Sequence, residues 1–447
     1  MSRIARHLLA LGAFAWSTWA QAVIPIEHWT HASGARIYLV SSPGIPMVDV
    51  QIDVDGGSRR EPAGKTGLAG TTASLLSAGV RAHAGQPARD ENALSAAWVD
   101  LGAQFGISAG SDRFSAQLRS LTDPAILPRA VALAAQQLAA PAWPEAVWQR
   151  DRERAVAALR EAQNRPATVA GQAFARAVYG DHPYGRYSTP ESLQAIAVSD
   201  MQAFYRQHMV ACRAQVVVVG AVDRAATQAI VEPLLSAIAP HGCPSLTTVP
   251  EVAPLAQAAE QRLPFKAAQA QILIGQPGIA RDHPDFFPLL VGNHILGGSG
   301  FTARLTLEVR EKRGLTYGVY SGFSPGRHAG AFQIGMTTRP DQADEAVRVV
   351  RETLMRFLAE GPTDDELRAA KDNLVNGFAL RIDSNRKLLD NVANIAWNGL
   401  PLDYLDTWTA QIERLTREQV HRAMQRVLRA DRMVTVVVGA SEAAAAR

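Results

Sequence analysis

The stretch VREKRGLTYGVYS, residues 309–321, carries the two side chains best suited to chemistry. Arg310 and Tyr317 are seven residues apart (317 − 310), a spacing that returns to nearly the same face of a continuous helix. Gly314 is expected to end the helix, so that Tyr317 opens the next strand, and the two side chains can still point to one spot. Both donate hydrogen bonds and would suit a polarised carbonyl or an oxyanion. The alternative is a solvated helix-end arginine and a tyrosine packed in the core.

The chain contains the same unit twice. QVVVVGAVDRAA at 215–226 is matched by VTVVVGASEAAA at 434–445, which pairs Gly220 with Gly439 at an offset of 219 (439 − 220). Strands and helices are therefore expected to follow one order in both halves.

The repeat also bears on the arginine and the tyrosine. LSAAWVDLGAQFGIS at 94–108 aligns with the stretch that contains LEVREKRGLTYGVYS, read so that Gly102 matches Gly314 and Gly106 matches Gly318, an offset of 212 (314 − 102). In this register Trp98 takes the place of Arg310, and Phe105 takes the place of Tyr317. Because the first copy has apolar groups there, the architecture alone does not require a polar pair, which favours a functional role for it.

Length and composition predict a folded protein of more than one domain. The chain has 447 residues, of which 47% are apolar and 19% charged, so it can bury sizeable cores. The net charge of +3 falls to about +1 if an N-terminal segment with Arg3 and Arg6 is removed. This balance excludes a strong electrostatic attraction to nucleic acid or to an acidic membrane surface.

Residues 1–22 are typical of a secretory signal peptide. Arg3 and Arg6 form a basic start, HLLALGAFAW is a short apolar run, and Ala20-Gln21-Ala22 is a cleavage pattern. The run is too short to span a membrane comfortably. We expect an exported, periplasmic protein without membrane insertion.

Cys212 and Cys243 are the two cysteines of the chain. In an oxidising compartment they could form one disulfide, which by the chain-entropy estimate would add roughly 3 kcal/mol. Two buried free thiols are the alternative. Two cysteines cannot form a zinc site on their own.

The order of elements predicts an α+β fold. Strands occur with clustered helices rather than in strict βαβ alternation. Long helical stretches are predicted at 144–178 and at 363–398. Residues 241–262 contain Gly242, Pro244, Pro250 and Pro254 and predict a linker between domains at 23–240 and 263–447.

Together, the two-copy layout, the loop DHPYG at 181–185, NHILGGSG at 293–300 and VREKRGLTYGVYS resemble the insulinase/pitrilysin family of zinc peptidases. Those enzymes are inverzincins, which carry an H-x-x-E-H helix. The resemblance covers essentially the whole mature chain. It implies two homologous domains, each a mostly antiparallel β-sheet covered by α-helices, in a clamshell arrangement.

The chain departs from this family at the zinc helix. After the turn Gly57-Ser58-Arg59, where the family has H-x-x-E-H, the chain reads Gly70-Thr71-Thr72-Ala73-Ser74. Gly70, Ala73 and Ser74 thus replace the two histidines and the glutamate. The family's third ligand falls near Asp151 or Glu153, but one carboxylate does not bind a catalytic zinc, which needs about three protein ligands and an open position. No metal is expected in this chain.

Other residues do not replace the missing site. His28 and His31 form a close pair without a third ligand nearby, His182 in DHPYG is expected to be structural, and His294 is expected to be half-buried. GGSGF at 297–301 is not a G-x-S-x-G nucleophile motif, because Phe301 stands where the last glycine belongs. A self-sufficient hydrolase therefore has no supporting constellation.

The second copy keeps what the family uses in its C-terminal half, an arginine and a tyrosine that point at zinc bound elsewhere. Arg310 and Tyr317 match them. The resemblance therefore implies a non-catalytic, substrate-binding subunit, with a partner subunit that carries H-x-x-E-H and zinc. By the same resemblance Gly297, Gly298 and Gly300 are candidate substrate contacts, or else they only connect two helices. The alternative function is a degenerate homologue that acts as a structural or peptide-binding protein without a role in cleavage.

Overall fold

The computed structural model describes residues 24–238 and 242–439. The predicted signal peptide, residues 1–22, lies outside the described residues. The chain folds into two halves, each built on a mostly antiparallel sheet with helices packed on it. The predicted α+β fold class is confirmed.

The first half alternates short strands with helices along the chain. Its strands are β1 Glu27–Thr30, β2 Arg36–Ser41, β3 Met47–Asp55, β4 Gly79–Val80, β5 Arg89–Asp90, β6 Gln104–Ala109, β7 Arg113–Leu121 and β8 Gln215–Gly220. Its helices are α1 Leu68–Leu75, α2 Glu91–Asp100, α3 Leu127–Ala139, α4 Glu145–Ala162, α5 Pro166–Tyr179, α6 Pro190–Gln194, α7 Val198–His208 and α8 Arg224–Ala237. The main sheet runs in the order β1-β2-β8-β3-β7-β6.

The second half has fewer strands and longer helices. Its strands are β9 Ala259–Leu263, β10 Ala270–Pro277, β11 Val319–Phe323, β12 Ala331–Thr338 and β13 Val434–Val438. Its helices are α9 Phe286–Asn293, α10 Ala343–Glu360, α11 Asp364–Asn376, α12 Asn385–Asn398, α13 Tyr404–Glu413 and α14 Arg417–Val427. The sheet runs in the order β11-β12-β10-β13-β9.

The two sheets have the same topology. The order β2-β8-β3-β7-β6 of the first half corresponds to β9-β13-β10-β12-β11 of the second, and the first sheet has β1 as an additional edge strand beside β2. In each half the first pair is parallel and the others are antiparallel. The predicted match of QVVVVG with VTVVVG therefore corresponds to β8 and β13, which hold the same place in their sheets. The repeat is thus visible in the strand order.

Each half exchanges a helix with the other. Helix α5 belongs to the first half but packs Ala173, Phe174 and Val178 against strands β10 and β13 of the second sheet. Helix α12 belongs to the second half but packs against β8 and β3 of the first, and its apolar face shares a cluster with Tyr38 and Val40 of β2. Because these strands have helices on both faces, β8 and β13 are buried on both sides, which explains their continuous valine runs.

Both long predicted helical stretches are broken. The stretch 144–178 divides into α4 and α5, because Pro166 lacks the N–H that a continuing helix needs and instead occupies a first-turn position of α5. The stretch 363–398 divides into α11 and α12, with Ser384 capping α12 through the backbone N–H of Lys387. These breaks let α5 and α12 turn away to the opposite sheet.

The predicted linker 241–262 includes part of a strand. Residues 242–258 contain no helix or strand, and β9 begins at Ala259. The irregular part is held at its start by a disulfide between Cys212 and Cys243, which closes a loop with a sequence separation of 31. Cys243 is exposed, so the alternative of two buried free thiols is wrong. Loop closure of this length contributes about 3–4 kcal/mol in the chain-entropy account.

In the described part of the chain, none of the helices combines the length and apolar character that a membrane crossing requires.

Candidate functional site

Helix α1 stands where the resemblance predicts a zinc helix. It starts after Gly67, whose φ of 105° places the backbone in the left-handed region. The carboxylate of Glu61 accepts hydrogen bonds from the N–H groups of Gly67 (2.9 Å) and Ala69 (2.8 Å) and so caps the helix. Burial raises the pKa of Glu61, against the lowering effect of these two bonds. The hydrogen bonds to Glu61 therefore hold the start of α1 in place.

The side chains that α1 presents do not fit zinc. Gly70 and Ser74 are exposed and Ala73 is buried. The Ser74 hydroxyl donates to the carbonyl of Gly70 at 3.1 Å, within its own helix. On α4, Asp151 accepts a hydrogen bond from Arg150 at 2.8 Å, and Glu153 is exposed. A glycine, an alanine and a serine offer none of the imidazole or carboxylate ligands that zinc uses.

Potential metal ligands outside α1 and α4 do not gather in one place within the described residues. Across residues 24–238 and 242–439, histidine, cysteine, aspartate and glutamate side chains form no group of three or more that could hold a metal ion. His31 instead contacts Glu232 (2.8 Å) and Ser33 (2.9 Å), and the ring of His28 lies 4.6 Å from that of Tyr38.

Arg310 lies at the end of a helical segment that the second core anchors. Thr306–Glu311 is a π-helical turn, and Gly314, at φ 61°, ends the segment. The N–H of Gly314 donates to the carbonyl of Arg310 at 2.8 Å, and that of Leu315 donates to Val309 at 3.0 Å. Val309 and Leu315 are both buried. The predicted helix end at Gly314 is confirmed.

Tyr317 projects from the connection that follows. Strand β11 begins at Val319, so the expectation that Tyr317 opens the strand is wrong by two residues. The Thr316 hydroxyl donates to the carbonyl of Gly318 at 2.9 Å and accepts from its N–H at 3.1 Å, which makes a tight local turn. Tyr317 is 86% exposed. The alternative of a tyrosine packed in the core is therefore wrong.

Arg310 contacts a residue that sequence reasoning missed. Its guanidinium carbon lies 4.8 Å from the ring centroid of Phe301, and its Nε lies 3.4 Å from Glu311. Phe301 itself is 68% exposed. In the described part of the chain no hydrogen bond links Arg310 with Tyr317. The available signal was a large aromatic residue directly after a glycine-rich turn, nine positions before the arginine (310 − 301).

The three candidate glycines have different local roles. Gly297 is buried in a π-helical turn, His294–Gly298, and a Cβ there would collide with Ser321 of β11. A Cβ at Gly298 would lie 3.0 Å from the side-chain nitrogen of Asn293. Gly300 has φ 69° and open space around it. Gly297 thus has a packing reason and Gly300 a backbone reason to be glycine, while a contact with substrate stays a prediction for all three.

In the first half, the places that correspond to Arg310 and Tyr317 are taken by Trp98 and Phe105. Trp98 stacks on Phe105 with ring centroids 5.5 Å apart and an interplanar angle of 20°. The indole N–H of Trp98 donates to Gln137 at 3.1 Å, and Trp98 is buried. Gly102, at φ 57°, matches Gly314 in backbone conformation. The corresponding pair in the first half is therefore closed and apolar.

A polar network joins the two halves near His182. Tyr184 donates its hydroxyl proton to Asp112 at 2.6 Å, and the N–H of Arg327 donates to the same carboxylate at 2.9 Å. The N–H of His328 donates to the Tyr184 hydroxyl at 3.2 Å. His182 contacts the carbonyl of Pro250 at 3.0 Å and accepts from the N–H of Tyr184. These contacts agree with a structural role for the DHPYG loop.

The buried His182 and the half-buried His294 have lowered pKa values. Burial lowers the pKa of His182, and the neighbouring His328 lowers it further. Burial also lowers the pKa of His294, with a smaller contribution from Arg381. His294 is half-buried, as expected.

Comparisons with known proteins agree with this arrangement. The family model of the peptidase M16 inactive domain matches residues 195–374. An uncharacterized zinc protease of Streptomyces coelicolor is 29% identical over 277 residues, which cover 59% of this chain and 58% of that protein. The match thus spans less than two thirds of that relative's length.

Solved structures extend the likeness to nearly the whole chain. The peptidase M16 inactive domain from Pseudomonas fluorescens is 32% identical, with a TM-score of 0.87 over 93% of this chain and 98% of that one. The periplasmic protease PqqL from Escherichia coli, at 17% identity, has a TM-score of 0.79 over 98% of this chain and 49% of that one, a likeness of fold. The chain belongs to the peptidase M16 family, as the resemblance implied, and is a homologue of its inactive domain.

Proposed function

We propose that this chain is the non-catalytic, substrate-binding subunit of a heterodimeric periplasmic zinc peptidase. The observation that carries the proposal is the contrast between α1, which offers Gly70 and Ser74 where ligands would stand, and the segment 310–317, which presents an arginine and an exposed tyrosine on a rigid base. In this proposal the partner subunit provides the H-x-x-E-H helix, the zinc, the water and the glutamate base.

The role of this chain would be to hold peptide and donate hydrogen bonds. Arg310 and Tyr317 would reach the partner's site and bind the carbonyl oxygen of the scissile peptide bond. Donors placed where negative charge develops stabilise the transition state, and removing one typically lowers turnover by 10²–10³-fold. The 86% exposure of Tyr317 supports this role, because its hydroxyl is free to meet a group from outside the chain.

Three further features support the export of the chain. Residues 1–22 have the sequence pattern of a signal peptide. One protein of similar fold is a periplasmic protease. The Cys212–Cys243 disulfide is also typical of an oxidising compartment.

The second candidate is a degenerate homologue that acts as a structural or peptide-binding protein without a role in cleavage. The unsuitable residues of α1 and the match to an inactive-domain family model favour it equally. The neighbouring reading frame discriminates between the two. An adjacent gene with an intact H-x-x-E-H helix and a disrupted arginine and tyrosine pair would favour the two-chain peptidase.

The decisive experiment is co-expression with the adjacent H-x-x-E-H subunit. Cleavage of a fluorogenic peptide library is measured for each chain alone and for the mixture, together with the zinc content of each. We expect cleavage by the mixture alone and stoichiometric zinc in the partner alone. A partner that is fully active by itself, or an inactive mixture, would contradict the proposal and leave the degenerate homologue.

A further inference from the structure

A second concave site lies in the first half, away from the segment 310–317. It is a cavity of about 600 Å³ between the end of α4, helix α5 and the loop that leads into α6. Its lining combines apolar surface with charged and polar side chains, among them Arg160, Gln163, Arg176, Asp181, Arg186 and Ser188.

Positive charge dominates this cavity. Arg160, Arg176 and Arg186 line it together with a single carboxylate, that of Asp181, so the formal balance is +2 (three minus one). Each arginine comes from a different segment: Arg160 from α4, Arg176 from α5 and Arg186 from the connection between α5 and α6. All three side chains are exposed, so solvent screens the repulsion among them, and an anion bound between them would reduce it further.

The side chains of these three arginines are exposed. Over residues 24–238 and 242–439, none of the three guanidinium groups forms an ion pair or a side-chain hydrogen bond. Arg150, on the same helix as Arg160, is by contrast held by Glu91 at 2.9 Å and by Asp151 at 2.8 Å. Two of these charges act on carboxylates outside the lining: Arg186 opposes the burial that raises the pKa of Glu61, and Arg160 is the smallest contributor to the lowered pKa of Glu191.

Neutral donors complete the lining. The Ser188 hydroxyl is half-buried beside Gly67 and has no hydrogen-bond partner within the described residues. At the rim, the side-chain amide of Gln163 donates to that of Gln172 at 3.3 Å, which links the end of α4 to α5. Guanidinium groups bind phosphate and carboxylate oxygens through paired, charge-assisted hydrogen bonds, and a hydroxyl adds a further donor.

We propose that this cavity binds a small multiply charged oxyanion, of the phosphate or dicarboxylate class, through Arg160, Arg176 and Arg186. The ligand would be a free phosphate-type anion or the carboxylate groups of an acidic peptide, and both share the same chemistry at the guanidinium groups. The site does not depend on Arg310, Tyr317 or a partner subunit. It can therefore be tested on this chain alone, and its failure would leave the proposed function untouched.

The test is calorimetric titration of the full chain at low ionic strength. The ligands are inorganic phosphate, glutarate and a blocked tripeptide of glutamates, with sodium chloride at matched ionic strength as the reference. Arg176→Gln and Arg186→Gln should each weaken binding about tenfold, the usual scale for one hydrogen bond to a charged group. Arg165→Gln is the matched control, since Arg165 is exposed at the start of α5 but does not line the cavity.

The outcomes separate the two sources of the anion. Tight binding of phosphate alone assigns a phosphate-type ligand, while binding of glutarate and the tripeptide without phosphate assigns an acidic peptide. Both require that the arginine variants lose affinity and that the control keeps it, with unchanged melting temperatures to show that the variants are folded. Absence of binding by all three ligands, or equal affinity in all three variants, overturns the proposal.

Discussion

In the first half, Trp98 is stacked on Phe105 and its indole N–H is bound by Gln137. At the matching place in the second half, Arg310 lies over an exposed Phe301, and Tyr317 projects into solvent. In both places the helical segment ends at a glycine with φ near 60° and leads into the edge strand of a sheet with the same strand order. One scaffold therefore presents a closed apolar pair and an open polar pair.

The difference teaches which features belong to the fold. Because the first half completes its sheet with an aromatic stack, a guanidinium and a phenol are not needed to end the helix or start the strand. Leaving a large aromatic side chain exposed forgoes the free energy that burying its apolar surface would give, so the exposure of both Tyr317 and Phe301 suggests a contact with a group outside the chain.

The largest effect is expected on stability, when a guanidinium group is placed in the closed pair of Trp98 and Phe105. Trp98→Arg would place a charge in a buried site, lose the stack on Phe105 and leave Gln137 without its donor. We expect a loss of about 3–5 kcal/mol in the free energy of unfolding, the range seen for removal of a buried tryptophan. Urea titration measures it. Val99→Arg is the control, since Val99 is 76% exposed and should change stability by less than about 0.5 kcal/mol.

The second largest effect is expected when the phenol hydroxyl of Tyr317 is removed. Tyr317→Phe should lower turnover by the assembled two-chain enzyme roughly 10²-fold, or about 2.7 kcal/mol, with stability unchanged because the residue is exposed. Tyr320→Phe is the control, since Tyr320 is also exposed, at 55%, but its ring lies over Gly335 of the neighbouring strand. Equal turnover by wild type and Tyr317→Phe would remove the tyrosine from the mechanism.

A smaller effect should come from the glycine turn that precedes the open pair. Gly297→Ala forces a methyl group against Ser321 and should cost about 1–3 kcal/mol of stability by overpacking. Ser299→Ala, in the same turn, should be nearly neutral. If Gly297→Ala also weakens peptide binding in the assembled pair while Ser299→Ala does not, then the turn contacts substrate. A pure loss of stability would assign Gly297 to packing.

The smallest and most gradual effect concerns the junction between the halves. Burial lowers the pKa of His182 in the folded protein, so the unfolded chain binds more protons as the pH falls below about 6.5. Stability supplied by neutral His182 is therefore full above that pH and is lost on acidification. The difference in unfolding free energy between wild type and His182→Gln should shrink from pH 7 to pH 5. A constant difference would show that the histidine titrates normally.

Much of the architecture was predictable from local patterns. The repeat at Gly220 and Gly439, the alternation that produces β3 and β7, and the glycine that ends the helix before Tyr317 all lie within short segments. Pro166 also carried a signal, since a proline at that place starts a new helix rather than continuing the previous one. Such features depend on residues that are close together in the sequence, so they can be predicted from the sequence alone.

The exchange of α5 and α12 was not predictable in the same way. An apolar helix face indicates that it is buried, but not which sheet covers it, and both sheets offer valine-rich strands of the same kind. The contact of Phe301 with Arg310 was not predictable either, because it depends on how a glycine-rich turn folds back over the helix. The gathering of Arg160, Arg176 and Arg186 around one cavity likewise needs three segments to meet.

The sequence by itself determined the absence of zinc ligands on α1, because ligand chemistry depends on residue type and Gly70, Ala73 and Ser74 have none to offer. It also determined the repeat and the placement of an arginine and a tyrosine in its second copy. Only the tertiary structure decided that Tyr317 is exposed while its counterpart Phe105 is stacked, since exposure depends on which distant groups pack against a side chain. Residue type sets what chemistry is available, and packing sets where it can be reached.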